Sequence, residues 1–168
     1  MSRISVRFKH SGDLPFLSRP PQKTMPWLIH TDGSALPNPG RMGLGAVWTA
    51  PDGTHHTLSQ VAPGYGCNNE AEVRALVAAL QALKRQGADG LLVHCDSSVV
   101  VEQVGSNSAK PIARLAPLFD EARALLHSFG DARLVWIPGH RNAEADALAR
   151  TALGITAQRV LKKTKKRR

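Results

Sequence analysis

Four carboxylates stand out by their surroundings. The apolar runs Trp27-Leu28-Ile29-His30-Thr31 and Leu91-Leu92-Val93, the second continued by His94-Cys95, each lead into an aspartate followed by small residues: Asp32-Gly33-Ser34 and Asp96-Ser97-Ser98. Strand ends are where α/β proteins build sites. If the two runs pair in parallel, Asp32 and Asp96 lie side by side, and adjacent carboxylates repel unless a cation sits between them. An all-oxygen donor set suits a hard divalent ion. Each aspartate also has a plain structural use, Asp32 as a turn former before Gly33 and Asp96 as a helix cap. Glu72 closes Asn69-Glu70-Ala71-Glu72, which has the form of a capping box with Asn69 as cap. Charge alone does not choose between Glu70 and Glu72, although residue 72 is nearer the apolar stripe of Leu76 and Leu83. Asp146 lies in Asn142-Ala143-Glu144-Ala145-Asp146-Ala147-Leu148-Ala149, whose alanines permit close helix approach. An aspartate in so tight a stretch needs a partner, and an arginine or a metal ion serves equally.

The elements that must position these groups follow from periodicity and punctuation. Trp27–Thr31 reads as a strand, and a turn-rich run from Gly33 to Gly43 leads to a second strand around Gly45–Thr49. Pro51-Asp52-Gly53 is a turn, and alternating His55–Val61 completes an antiparallel meander. Val73, Leu76, Val77, Leu80 and Leu83 recur at helical spacing, with Gly87 as the stop. After the Leu91–Val93 strand comes a short helix over Ser98–Val104, then a helix opened by Pro111 and reaching Phe129, with Pro117 as a kink or a fresh first turn. Arg133–Ile137 is the last strand and Asn142–Leu153 the last helix. The order β-β-β-α-β-α-α-β-α predicts an α/β fold, a mixed sheet with helices packed on it and with the first and fourth strands innermost.

The chain has 168 residues, 42% of them hydrophobic, enough for one domain with its own core. Cys67 and Cys95 are too few for a disulfide framework and lack zinc-site spacing, which fits a reducing cytoplasm. No segment approaches membrane-spanning length, so no membrane partner is expected. The formal charge of +9 is unevenly placed. Residues 1–26 carry five Lys/Arg against Asp13, a net +4, and residues 159–168 carry seven, leaving −2 for residues 27–158. A slightly acidic body between two basic arms fits carboxylates collected for metal and tails that bind polyanions. Residues 1–26, with Pro15, Pro20, Pro21 and Pro26, read as an extended arm in which Ile4–Phe8 alternates like a short strand.

Several motifs coincide. Thr31-Asp32-Gly33-Ser34 with Asn38-Pro39-Gly40, Asn68-Asn69-Glu70-Ala71-Glu72-Val73-Arg74-Ala75-Leu76, Cys95-Asp96-Ser97, and Trp136-Ile137-Pro138-Gly139-His140 with Asn142-Ala143-Glu144-Ala145-Asp146 occur in this order. Over residues 27–153 the sequence resembles the type 1 ribonuclease H family. The resemblance implies that family's five-stranded mixed sheet, three antiparallel strands plus parallel ones, flanked by helices, and a catalytic domain over 27–158. It also implies Asp32, Glu72, Asp96 and Asp146 as metal-binding catalytic carboxylates, with Glu72 rather than Glu70 in that role, and His140 as a catalytic histidine. Asn38, Asn68, Asn69, Ser98 and Cys67 are then contacts to the nucleic acid, although turn formation and capping also account for asparagines at such places. Three features depart from the family's usual form. The loop between His140 and Asn142 is short, Cys67 stands where a threonine is usual in a DNA-phosphate pocket, and Gly105–Lys110 is too short for the extra basic helix of some members.

The implied activity is hydrolysis of the RNA strand of an RNA–DNA hybrid by two Mg²⁺ ions, with Mn²⁺ as a possible substitute, leaving 5′-phosphate and 3′-hydroxyl ends. The expected partner is the hybrid and the expected state a monomer. Two other readings share the fold: a nuclease acting also on double-stranded RNA, and a non-catalytic hybrid-binding module.

Overall fold

A computed structural model of the protein describes residues 24–106 and 110–156. The Ile4–Phe8 strand, most of the N-terminal arm and the tail at 159–168 lie outside the described residues. The elements run β1 (Trp27–Leu36), β2 (Gly40–Thr49), β3 (His55–Gly66), α1 (Asn68–Arg85), β4 (Gly90–Cys95), α2 (Ser98–Gly105), α3 (Ala116–His127), β5 (Asp131–Trp136) and α4 (Ala143–Ala152), with single 3₁₀ turns at Ala113–Leu115 and Gly139–Arg141. They form one five-stranded sheet in the order β3-β2-β1-β4-β5. β1 is antiparallel to β2 and parallel to β4, β2 is antiparallel to β3, and β4 is parallel to β5. The mixed sheet, and β1 and β4 inside it, are as the sequence predicts.

One face of the sheet holds the main core. Ile29 and Val93 meet Val73, Leu76, Leu80 and Leu83 of α1 and Phe119 of α3, all buried. Each such side chain contributes about 1.5–3 kcal/mol by leaving water. α1 thus packs across the centre of the sheet, where it can bring its first turns to the end of β1. The opposite face carries α4.

Several boundaries differ from expectation, and four of them have a clear physical reason. β1 continues past Asp32 to Leu36, and β2 begins at Gly40, because residues 32–36 pair in register with 45–41, from Asp32↔Gly45 to Leu36↔Arg41. Gly43, expected at the end of the turn, is therefore a strand residue like Gly45. A Cβ at Gly43 would lie 2.1 Å from the carbonyl oxygen of Ala149, and one at Gly45 would lie 2.2 Å from that of Ala145, so the glycines let α4 rest on the backbone of β2. β3 runs on to Gly66 through an irregularity opposite Arg41 and Gly43. As an edge strand it tolerates Pro63 there. Finally, the helix expected from Pro111 begins at Ala116, with Pro117 in its first turn, where a missing N–H costs nothing.

Candidate active site

The ends of the two central strands set the first carboxylates. Thr31 pairs with Cys95 in the parallel ladder, so Asp32 and Asp96 emerge as neighbours one residue later. Ser97, not Asp96, caps α2, accepting from the Val100 N–H at 3.3 Å, which releases the Asp96 side chain from capping. The Asp96 backbone carbonyl accepts from Trp136 Nε1 at 3.2 Å, and this fixes the turn that presents the carboxylate.

Glu72 arrives from α1, and not as a capping residue. The helix starts at Asn68 after Cys67, with no side-chain cap, so Asn69 is inside it and the capping-box alternative does not hold. Glu70 pairs instead with Arg74 at 2.9 Å and approaches Arg114 at 3.8 Å, whereas Glu72 turns toward the strand ends. Gly33 makes that approach possible. A Cβ there would lie 2.1 Å from the Ala71 carbonyl carbon and 2.3 Å from the Glu72 nitrogen.

One carboxylate oxygen each from Asp32, Glu72 and Asp96 lies within 4.8 Å of the other two. Asp146, from the first turn of α4, lines the same cavity, and its charge acts on Asp32. Asp32 is only 5% exposed. Its burial pushes its carboxyl up to about 7, against a hydrogen bond from Glu72 and with the charges of Asp96 and Asp146 adding to the rise. Burial and then the Asp32 charge raise Glu72 well above the ordinary carboxylate range. Apolar surroundings and like charges this close hold a proton that water would remove.

This donor set fits a divalent cation. Three oxygen donors converge, their mutual repulsion is relieved by a cation, and one buried Glu72 oxygen, Oε2, has no hydrogen-bond partner. All four carboxylates, together with Asn68 and His140, line one cavity of about 610 Å³. His140 sits on its wall because the short loop folds as a single 3₁₀ turn directly before α4.

The other expected contacts are placed differently. The Asn38 side-chain Oδ1 accepts from the Asn68 N–H at 3.1 Å, and the Asn68 side-chain Oδ1 accepts from the Ala35 N–H at 2.8 Å, which ties the β1–β2 turn to the start of α1. Asn38, Asn69, Ser98 and Cys67 lie outside the cavity wall. Burial alone would raise the Cys67 thiol, but Arg114 Nη2 at 3.3 Å and the N–H groups of Glu70 and Asn69 outweigh it and hold it below the ordinary thiol value.

Sequence reasoning missed two residues. Asn142, 1% exposed, donates through Nδ2 to the Thr31 carbonyl at 2.8 Å and to Asp96 Oδ1 at 3.0 Å, joining both strand ends to α4. Its place before a helix reads as a cap, and no local signal reveals a tertiary tie. Arg114, an exposed arginine in a 3₁₀ turn, likewise shows its link to Cys67 only in three dimensions. Replacing Asn142 by Ala should lower stability by about 1–3 kcal/mol, because the buried Thr31 carbonyl loses its side-chain donor. It should also lower cleavage by tenfold or more on the order of a 1.4 kcal/mol barrier change. Urea melts and single-turnover rates read the two effects, and wild-type values in both would refute the tie.

A family model described as reverse transcriptase-like matches residues 30–152. A ribonuclease HI of Halobacterium salinarum is 35% identical over 124 residues, 73% of this chain and 61% of that protein. The crystal structure of RNase H1 from the same organism superposes with a TM-score of 0.72 at 32% identity, covering 77% of this chain and 98% of that one. An RNase H1 solved in complex with an RNA/DNA hybrid gives a TM-score of 0.66 at 32% identity, covering 76% of this chain and 96% of that one. A bifunctional protein of Mycobacterium tuberculosis is 39% identical over 132 residues, 78% of this chain, but the match spans only 36% of that protein's length. The chain belongs to the ribonuclease H family.

Proposed function

We propose that the chain is an endoribonuclease that hydrolyses the RNA strand of RNA–DNA hybrids, leaving 5′-phosphate and 3′-hydroxyl ends. The observation that carries this reading is the convergence of Asp32, Glu72 and Asp96 on one point at the ends of the central strands, with the charge of Asp146 acting on Asp32 from α4. Asp32, Glu72, Asp96 and Asp146 would hold two Mg²⁺ ions, for which Mn²⁺ can substitute. Such ions, when bound, offset charge on the phosphate and on the leaving oxygen and make water a better nucleophile near neutral pH.

The protein's own groups do the rest. Asp32, on which Glu72, Asp96 and Asp146 all act, would be the central carboxylate in holding the ions. Glu72 would also accept from the 2′-hydroxyl, the group that separates RNA from DNA. Asn68 with the Asn38 bonded to it, Asn69 next in the chain and Ser98 at the start of α2 would offer amides and a hydroxyl to groove edges with little sequence preference. Cys67 with Arg114 presents a cation and backbone N–H groups to the DNA strand's phosphate, and His140 at the cavity wall moves protons or aids product release. The basic arms add salt-dependent affinity.

Incubation with a labelled hybrid, a double-stranded RNA and a duplex DNA, with Mg²⁺ and with chelator, tests the activity. Metal-dependent cutting of the hybrid's RNA strand alone is expected. Asp96→Asn should abolish that cutting and retain hybrid binding; unchanged cleavage refutes the site, and cleavage of only another substrate refutes the specificity.

A further inference from the structure

Two residues before each aspartate, the central strands carry a histidine. His30 and His94 are partners across the parallel β1–β4 ladder. Nδ1 of His94 lies 3.2 Å from Nε2 of His30, and the ring planes are 73° apart. Two imidazole nitrogens bound to one tetrahedral zinc ion at the usual distance are roughly 3.3–3.4 Å apart. The pair therefore already has the spacing of two adjacent corners of such a site. Both rings are partly buried on a rigid ladder. In the first turn of α4, Glu144 gives one carboxylate oxygen to His55 Nε2 at 3.1 Å, and its charge also acts on His30. Its side chain is 58% exposed and can move without repacking the core.

We infer that His30 and His94, with Glu144 as third ligand, form a site for a borderline transition-metal ion, Zn²⁺ or its analogues Co²⁺ and Ni²⁺, separate from the carboxylate cluster. Imidazole nitrogen selects this class of ion, whereas all-oxygen sites select Mg²⁺. The two histidines supply a fixed edge, Glu144 a third corner on leaving its partner His55, and water the fourth. An ion held there joins β1 to β4 beside the strand ends that present Asp32 and Asp96. The site uses none of the four carboxylates, so it stands or falls independently of the nuclease reading.

Calorimetric titration of the full chain with Zn²⁺ in excess Mg²⁺ should show one site, in the wild type and equally in Asp96→Asn. His30→Gln and His94→Gln should each weaken it roughly thirtyfold or more, about 2 kcal/mol, and Glu144→Gln should weaken it less. Co²⁺ should give the visible absorption of a tetrahedral ion in wild type and Asp96→Asn and lose it in both histidine variants, whose circular dichroism reports folding. For the wild type alone, Zn²⁺ should protect His30 and His94 from diethyl pyrocarbonate, read by mass spectrometry. Binding that survives in both histidine variants but disappears in Asp96→Asn overturns the inference, as does the absence of any Zn²⁺ site or of protection.

Discussion

Replacing Asp32 by Asn removes cleavage and at the same time stabilises the metal-free protein. The carboxyl rises from an ordinary value of 3.8 to about 7 on folding, mainly through burial. The sign follows directly: a carboxyl that holds its proton more tightly when folded makes the fold less stable as pH climbs between the unfolded and folded values. A rise of that size corresponds to about 4 kcal/mol above pH 7. Asparagine carries no charge and still accepts the Gly33 N–H, which Asp32 Oδ1 accepts at 2.9 Å. It gives up the proton shared with Glu72, so a net gain of about 2 kcal/mol is expected, raising the melting temperature by roughly 5–10 °C. The gain should be near zero below pH 4, grow to pH 7 and stay level above. Saturating Mg²⁺ should narrow the gap, since a cation relieves the same repulsion in the wild type. Activity should fall by roughly a thousandfold, about 4 kcal/mol of barrier. Melting curves against pH, with Mg²⁺ and with chelator, decide the matter: a variant no more stable than wild type at pH 8 without metal would show that the buried Asp32 charge does not destabilise the fold.

The second large effect belongs to a residue with no chemistry of its own. Gly33→Ala should cost about 3 kcal/mol or more, because the new Cβ meets α1 backbone at 2.1–2.3 Å and backbone cannot swing aside. The strand and helix must part, and Glu72 sits at that contact. A displacement of about 1 Å in a catalytic group lowers rate on the order of a hundredfold. Urea melts, and hybrid cleavage measured at a temperature where the variant is still folded, separate the two losses. A variant as stable and as active as wild type would mean that α1 and β1 are not in backbone contact at Gly33.

The element order and sheet type were legible because they rest on periodicity, and the two aspartates because they end apolar runs. Glu72 was legible only through its motif. Local charge placed Glu70 and Glu72 on equal terms, and what separates them is tertiary: Arg74 and Arg114 occupy Glu70, while Gly33 opens the way for Glu72. Gly43 was misread for a related reason. Glycine signals a turn locally, yet here its missing side chain makes room for α4, a contact roughly a hundred residues away in sequence. Asn142 and the His30–His94 pair were illegible because their partners come from other elements, and no spacing along the chain encodes them.

The four carboxylates come from β1, α1, the end of β4 and α4, so they meet only when nearly the whole described chain is in place. A ribosome delivers β1, β2 and β3 first, and their antiparallel pairing is local. Parallel pairing of β1 with β4 waits for residue 95, and Asp146 follows still later. A partly synthesised chain thus carries Asp32 on a strand whose inner neighbour does not yet exist, with no cluster for a cation to enter. On the proposed reading, the three converging carboxylates would meet only once β4 has paired with β1, and the fourth would join only when α4 has emerged and docked on the glycines of β2.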